Sequence, residues 1–377
     1  MLKKIGIIIS CCLLIVLMLW GVFKIAPGKD AIEYLEIEGT VIGLDKSIVT
    51  IETNFDTKYL FEILEPTFNI GDKVKIKYNS VDGKNTVIDY SVVWADELYK
   101  NIPENWKDSG IFSRYYSKAY ELLNKLTLDE KIGQILLVRF PDTDGIEEVK
   151  QYNFGGYVFY KKDFLNKTSE QVISMIENVQ KNSKIPLLTA VDEEGGVVIR
   201  VSSNTNLTPS KFKPSSEIYI ESGFDGIKKD TILKSKVLSK LGLNLNLAPV
   251  VDVATKSSDY MYERTIKQNT QITAQYAQTV VMASKNTGVS YTLKHFPGYG
   301  NNLDTHVGTS MDYKSYDNIL KEDIPPFEAG IKAGAEAIMV SHNIVASIDK
   351  ENPACLSKNI NNILRKDLNF TRNYYYR

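Results

Sequence analysis

Cysteine, histidine and tryptophan each occur only three times in 377 residues. Cys11 and Cys12 sit side by side in an apolar run and Cys355 stands alone in the body of the chain, so a disulfide framework there is excluded. There is no Cys-x-x-Cys, and the histidines at 295, 306 and 342 are scattered, so a zinc site has no ligand set and no metal is expected. The formal net charge is −1, which argues against a basic face for nucleic acid. No glycine-rich phosphate loop follows the first apolar strand of the main domain, so a dinucleotide lacks its signature and no cofactor is expected.

What is present suits a globular protein of two or so domains, with 43% hydrophobic and 24% charged residues. After Lys3 and Lys4, residues 5–23 carry no charge, and with Leu13, Leu14, Ile15, Leu17 and Trp20 they are long enough to span a bilayer. Residues 1–28 are therefore expected to form a transmembrane helix that anchors the protein in the cell membrane, lysines inside and the rest outside. A cleaved signal peptide, giving a secreted protein, competes, although Gly21 to Ala26 is a poor cut site. Ile8-Ile9-Ser10-Cys11 faintly resembles a lipoprotein box, but most of the apolar run lies after the cysteine.

Residues 30–93 alternate apolar and polar positions in short runs, at 34–38, 47–52, 58–63 and 73–78, separated by Gly43, Asn54, Gly71-Asp72 and Asp82-Gly83. Period two with such punctuation predicts a small all-β domain, an OB-like or SH3-like barrel that either binds glycan or serves as a spacer. A helical linker is expected over 94–111, and a catalytic domain over 112–377. Thr127 and Glu130 have capping-box spacing at the head of an apolar run.

Beyond that point apolar strands, at 135–138, 156–160, 186–191, 243–250, 290–293 and 336–340, alternate with helical stretches at 169–180, 227–241, 270–285 and 325–332. Repeated βα units with near-continuous apolar strands imply a parallel sheet covered on both faces, either doubly wound or a barrel. Asp192-Glu193-Glu194, Asp252, Lys294-His295 and Ser341-His342 each follow a strand, and such ends converge on one pocket in a (β/α)8 TIM barrel. The expected fold is therefore α/β, a TIM-barrel catalytic domain behind a transmembrane helix and a small β-barrel. Two of the three histidines fall in residues 293–310, where Lys294-His295 precedes a Pro297-Gly298 bend and Asp304-Thr305-His306 lies on the following loop. Packing alone does not call for that arrangement, whereas proton transfer to a polar substrate does.

The domain resembles the catalytic barrel of family 3 glycoside hydrolases, in the bacterial β-N-acetylglucosaminidase branch. The resemblance rests on residues 126–134, Asp192-Glu193-Glu194-Gly195-Gly196 with Arg200, residues 247–252, Glu263-Arg264, residues 294–300 and Asp304-Thr305-His306. It implies that Asp192, Arg200, Arg264, Lys294 and His295 hold the hydroxyls and N-acetyl group of a sugar, and that His306, oriented by Asp304, is the general acid/base. Imidazole both gives and takes a proton near neutral pH, and a nearby carboxylate stabilises its charged form. His342 is expected to be structural. The implied activity is retaining hydrolysis of terminal β-N-acetylglucosamine from peptidoglycan fragments or chitin-like oligosaccharides, with a glycan as partner. An N-acetylglucosaminide phosphorylase and a non-catalytic remnant or glycan-binding surface protein are the alternatives. Oligomeric state has no signal in the sequence.

One departure matters. The family's nucleophile is an aspartate at the end of the seventh strand, in a segment resembling Gly-Val-Ile-Ile-Thr-Asp-Asp. Here Leu364-Arg365-Lys366-Asp367-Leu368-Asn369-Phe370 arrives on schedule, but the chain continues Thr371-Arg372-Asn373-Tyr374-Tyr375-Tyr376-Arg377. One adenine inserted after the Thr371 codon turns a reading of Thr-Gly-Ile-Ile-Ile-Thr-Asp into this segment. A frameshift is therefore expected, with the barrel incomplete, Arg377 in the nucleophile's slot, and the chain unstable and nearly inactive.

Overall fold

The computed structural model describes residues 34–94 except 46, 54–56, 65 and 82–83, and residues 113–376 except 300–307 and 309. The expected anchor, the linker beyond Trp94, Asp304, His306 and Arg377 lie outside the described residues, and Trp94 itself ends a strand. Among the described residues no helix is long and apolar enough to cross a membrane. The chain divides into two compact units, 1–121 and 122–377.

In the first unit, β1 (Leu35–Asp45), β2 (Ile48–Glu52), β3 (Lys58–Glu62), β4 (Lys73–Val81) and β5 (Lys84–Trp94) form an antiparallel sheet in the order β3-β2-β1-β4-β5. The alternation seen in the sequence sends Val41, Val49, Ile51, Phe61, Val74 and Ile76 into one core. The other face carries diagonal ion pairs, Lys73 with Glu38 at 2.7 Å and Lys75 with Glu36 at 2.8 Å. The two edge strands β3 and β5 lie in contact, with no ladder joining them among the described residues, so the sheet curls on itself. Sequence reasoning named no strand for β5, whose polar-rich run lacks clean alternation.

The second unit is built on seven parallel strands: β6 (Leu137–Arg139), β7 (Gly156–Phe159), β8 (Leu188–Val191), β9 (Leu245–Asn246), β10 (Ser290–Phe296), β12 (Ala337–Val340) and β14 (Asn373–Tyr376). They lie in chain order across the sheet, and β11 (Met311–Asp312) pairs separately with β13 (Ile344–Val345). The helices Ser169–Asn182, Ser215–Lys240, Thr270–Ser284 and Ile324–Lys332 bury Ile176, Leu238, Val280 and Phe327 in one core with sheet residues such as Phe159 and Leu293. The opposite side chains, Ala190, Leu245, Leu247, Ala337 and Met339, gather in a second core. Leu137 of β6 and Tyr375 of β14 both pack against this inner cluster, so the sheet curls until its two edge strands face one interior.

The expected (β/α)8 barrel, incomplete at its C-terminal end, is observed as a curled sheet of seven parallel strands. Closure requires a ladder running back from the last strand to the first, and among the described residues none does, leaving a curled half-barrel. The Thr371 to Tyr376 segment nevertheless supplies a strand, with Ala337 to Val340 of β12 paired to Asn373 to Tyr376. Aromatic residues suit a pleated surface whatever reading frame produced them.

Candidate active site

Polar groups collect at the C-terminal ends of β8, β9 and β10. The chain leaves β8 at Val191 and presents three carboxylates in a row, each with a different task. Asp192 and Glu194 turn toward β10 and both accept from Lys294 Nζ, at 2.7 Å each. Glu193 is fully buried and turns the other way, accepting from the backbone N–H groups of Arg200 at 2.8 Å and Val201 at 2.7 Å and from the Ser202 hydroxyl. Asn246 of β9 fixes the backbone between them, its Oδ1 accepting from Glu193 N at 3.0 Å and its Nδ2 donating to Glu193 O at 3.1 Å.

Glu194 is the centre of the cluster. Arg264, on a short 3-10 turn at Tyr262–Arg264, donates Nε to one oxygen at 3.0 Å and a terminal nitrogen to the other at 2.6 Å. This forked contact is the strongest form of ion pair available to a carboxylate. Burial pushes the Glu194 carboxyl up, but Lys294 and Arg264 outweigh it and hold it at about 2. Burial opposes the charge of Arg264, and Glu194 more than compensates, so its pKa is raised.

His295 belongs to a second pair. Beyond β9 the backbone keeps contact with β10, Val251 N donating to Lys294 O at 2.9 Å, which sets Asp252 beside the histidine. His295 Nδ1 lies 2.7 Å from Asp252 Oδ2, and Tyr299 N donates to Asp252 Oδ1 at 2.9 Å. Burial pushes the imidazole pKa down, Asp252 opposes this, and Arg264 and Lys294 push it further down. The ring is therefore neutral at pH 7, with Nδ1–H donating to the carboxylate and Nε2 left as an acceptor.

Of the residues singled out from the sequence, Asp192, Arg264, Lys294 and His295 come together. Arg200 does not join their hydrogen bonds; its guanidinium lies against the Tyr160 ring. His342 Nδ1 is 3.2 Å from the thiol of buried Cys355. Sequence reasoning put Glu194 and Asp252 at strand ends converging on one pocket but gave neither a role. The signal was present: each follows an apolar strand, and neither has a partner nearby in sequence. The assembled groups are fixed acceptors and donors crowded into a small volume, an arrangement suited to pairing the polar groups of a small ligand.

The sequence profile described as Glycosyl hydrolase family 3 N terminal domain matches residues 127–372, well over half of the chain. A β-hexosaminidase of Stenotrophomonas maltophilia is 31% identical over 219 residues, covering 57% of this chain and 64% of the relative. One of Xanthomonas campestris pv. campestris is 33% identical over 218 residues, covering 57% and 65%. The chain thus spans just under two thirds of the length of these curated relatives. Among solved structures, a family 3 β-N-acetylglucosaminidase from Paenibacillus superposes with a TM-score of 0.62 at 23% identity, over 67% of this chain and 49% of that one. A β-N-acetylhexosaminidase from Beutenbergia cavernae gives 0.60 at 23% identity, over 67% and 78%. These two likenesses show the shared fold. By the extent of the profile match, this chain belongs to glycosyl hydrolase family 3, whose N-terminal domain its second unit forms.

Proposed function

We propose that the protein hydrolyses terminal β-N-acetylglucosamine residues of peptidoglycan fragments or chitin-like oligosaccharides with retention of configuration. The observation that carries this is the buried constellation of Asp192, Glu194, Arg264 and Lys294 beside His295 and Asp252, at one end of a parallel sheet. In this reading the sugar displaces part of that internal pairing. Asp192 accepts from its hydroxyls while Lys294, Arg264 and Arg200 donate, and His295 presents Nε2. His306 protonates the leaving oxygen and later takes a proton from water, with Asp304 holding its charged form. The β-hexosaminidase relatives support the substrate class. The same reading sets the second unit outside the cell on the anchor of residues 1–28, which membrane fractionation of cells making the full chain checks.

A second reading is binding without turnover. The segment where the family resemblance implies a nucleophile, residues 371–377, holds neither Asp nor Glu, whereas retention calls for a carboxylate nucleophile. One assay separates the two: incubation of the full chain with a chromogenic β-N-acetylglucosaminide, with N-acetylglucosamine binding measured in parallel. Release of the chromophore, with the β-anomer formed first, supports hydrolysis. Binding without release supports the second reading, and absence of both sinks the glycan assignment.

A further inference from the structure

Glu194 anchors the cations of the candidate site, yet the backbone that carries it has little support of its own. It runs directly into Gly195 and Gly196, both in the left-handed region with φ of 101° and 64°. The Glu194 N–H donates to Val198 O at 3.0 Å, but among the described residues no backbone N–H reaches the Glu194 carbonyl. A carbonyl left unmet away from water costs free energy comparable to a lost hydrogen bond, so a donor has to come from elsewhere.

Lys234, on the helix Ser215–Lys240, supplies it: its Nζ donates to Glu194 O at 3.1 Å, across 40 positions of sequence. The same nitrogen meets Asp230, one turn earlier on the helix, at 3.1 Å and lies 5.2 Å from the Phe212 ring centre. Lys234 is only 5% exposed. Burial opposes its charge, and Asp230 is the largest of the influences that outweigh it, so the ammonium persists. Packing does not call for such a residue, since a methionine fills a similar volume without the desolvation of an ion. The hydrogen bond that Lys234 makes outside its own helix is the one to Glu194. Lys234 and Glu194 also border a small cavity with Ser215, Pro249, Tyr276 and Tyr291. The Glu194 peptide therefore has room to turn once its anchor is lost, and the two glycines after it can absorb the rotation.

We propose that Lys234, held by Asp230, is a positioning residue for the candidate active site: it fixes the Glu194 peptide and thereby sets the direction in which the Glu194 carboxylate meets Lys294 and Arg264. Lys234 acts through Glu194 and touches no sugar. The proposal rests on the glycan reading of that cluster and deepens it, because affinity for the sugar then depends on a residue of the helix layer outside the sheet.

Two measurements on the full chain test this: calorimetric titration with N-acetylglucosamine, and carboxyl NMR titration of Glu194 in protein labelled at glutamate, the resonance being identified by its loss in Glu194→Gln. Lys234→Met is expected to weaken sugar binding at least about tenfold. It should also move the Glu194 midpoint up from about 2 toward the ordinary 4.5, because the carboxylate no longer meets both cations. Asp230→Asn combined with Lys234→Met leaves no lone charge inside and should behave alike, so it carries the test if the single variant does not fold. Val280→Ala, on the helix Thr270–Ser284 at the same cavity, loses packing without touching the Glu194 peptide. It should lower the melting temperature and leave both readouts at the parent's values. A Glu194 midpoint unmoved in the Lys234 variants overturns the proposal, as does an equal shift in Val280→Ala or a sugar affinity that stays at the parent's. If the parent binds no sugar while the midpoint rises in the Lys234 variants only, the positioning role stands and the glycan assignment falls.

Discussion

Replacing Glu194 with glutamine removes the carboxylate that Lys294 and Arg264 share, leaving the buried Lys294 with Asp192 alone and Arg264 without its forked acceptor. Breaking a buried pair by removing one partner typically costs about 3–5 kcal/mol, and a urea denaturation series should show a loss of that order in Glu194→Gln. Asp323 makes an opposite contribution. It is buried beside Gly298, where an added Cβ would lie 2.7 Å from its own Cβ, and it meets Lys314 Nζ at 2.8 and 3.0 Å. Burial pushes its carboxyl up to about 7 against the pull of Lys314, with Asp312 and Asp252 adding to the rise. The folded state therefore holds a proton that the unfolded chain has released, and this contribution to stability is full below the ordinary carboxylate range and lost as pH rises toward 7. Glu194 behaves in the reverse sense, its contribution being full above about 4.5 and lost as pH falls toward 2. Between pH 5 and 7 only Asp323 of the two is titrating, so Asp323→Asn should flatten the fall in urea midpoint that the parent shows across that window. An unchanged slope would remove Asp323 as its source. Under the proposed hydrolysis, His306→Gln should lower kcat by roughly 10²–10⁴-fold, with sugar binding kept.

Among the elements, the helix Leu128–Gln134 shows how far local sequence is decisive. Its capping box forms as the spacing predicts, Thr127 N donating to Glu130 at 2.8 Å and Glu130 N to the Thr127 hydroxyl at 3.2 Å. Thr127→Ala should cost about 1 kcal/mol. The same helix contains a requirement that spacing does not reveal. A Cβ on Gly133 would lie 1.8 Å from Tyr152 O and 2.7 Å from Asn153 O, because this helix packs backbone to backbone against the end of the helix Ile146–Tyr152. Gly133→Ala should therefore destabilise by about 1–3 kcal/mol, although alanine favours helix. In Gly330→Ala the clash is with the flexible Leu293 side chain, so the loss should be smaller. Thermal melts of the three variants should rank Gly133→Ala as the largest loss among them.

On the scale of the whole molecule, repeated βα units are enough to imply a parallel sheet, and six of its seven observed strands fall inside or beside the apolar runs of the sequence, β14 being the exception. Whether that sheet closes is a different matter. The near-continuous apolar strands carry no mark of which face becomes the inner cluster, and only the meeting of Leu137 with Ala337 and Met339 in one cluster reveals the curl. The half-barrel leaves β6 and β14 as edges, which in isolation are prone to pair with other chains.

Residue types, order and local spacing determined the family, the strand and helix sequence, the cap at Thr127, and the presence of Asp192, Arg264, Lys294 and His295 at strand ends. These depend on neighbours a few positions apart, or on motifs that travel as short contiguous words. Tertiary structure decided the rest. Lys294 meets Asp192 across 102 positions and Arg264 meets Glu194 across 70, so no local pattern could show that Glu194, and not Asp192 alone, anchors the cations. Nor could spacing show that Glu193 turns away into the Arg200 loop. Those pairings arise when the parallel sheet brings the ends of successive strands to one side, and burial then decides which charges can remain there without a partner.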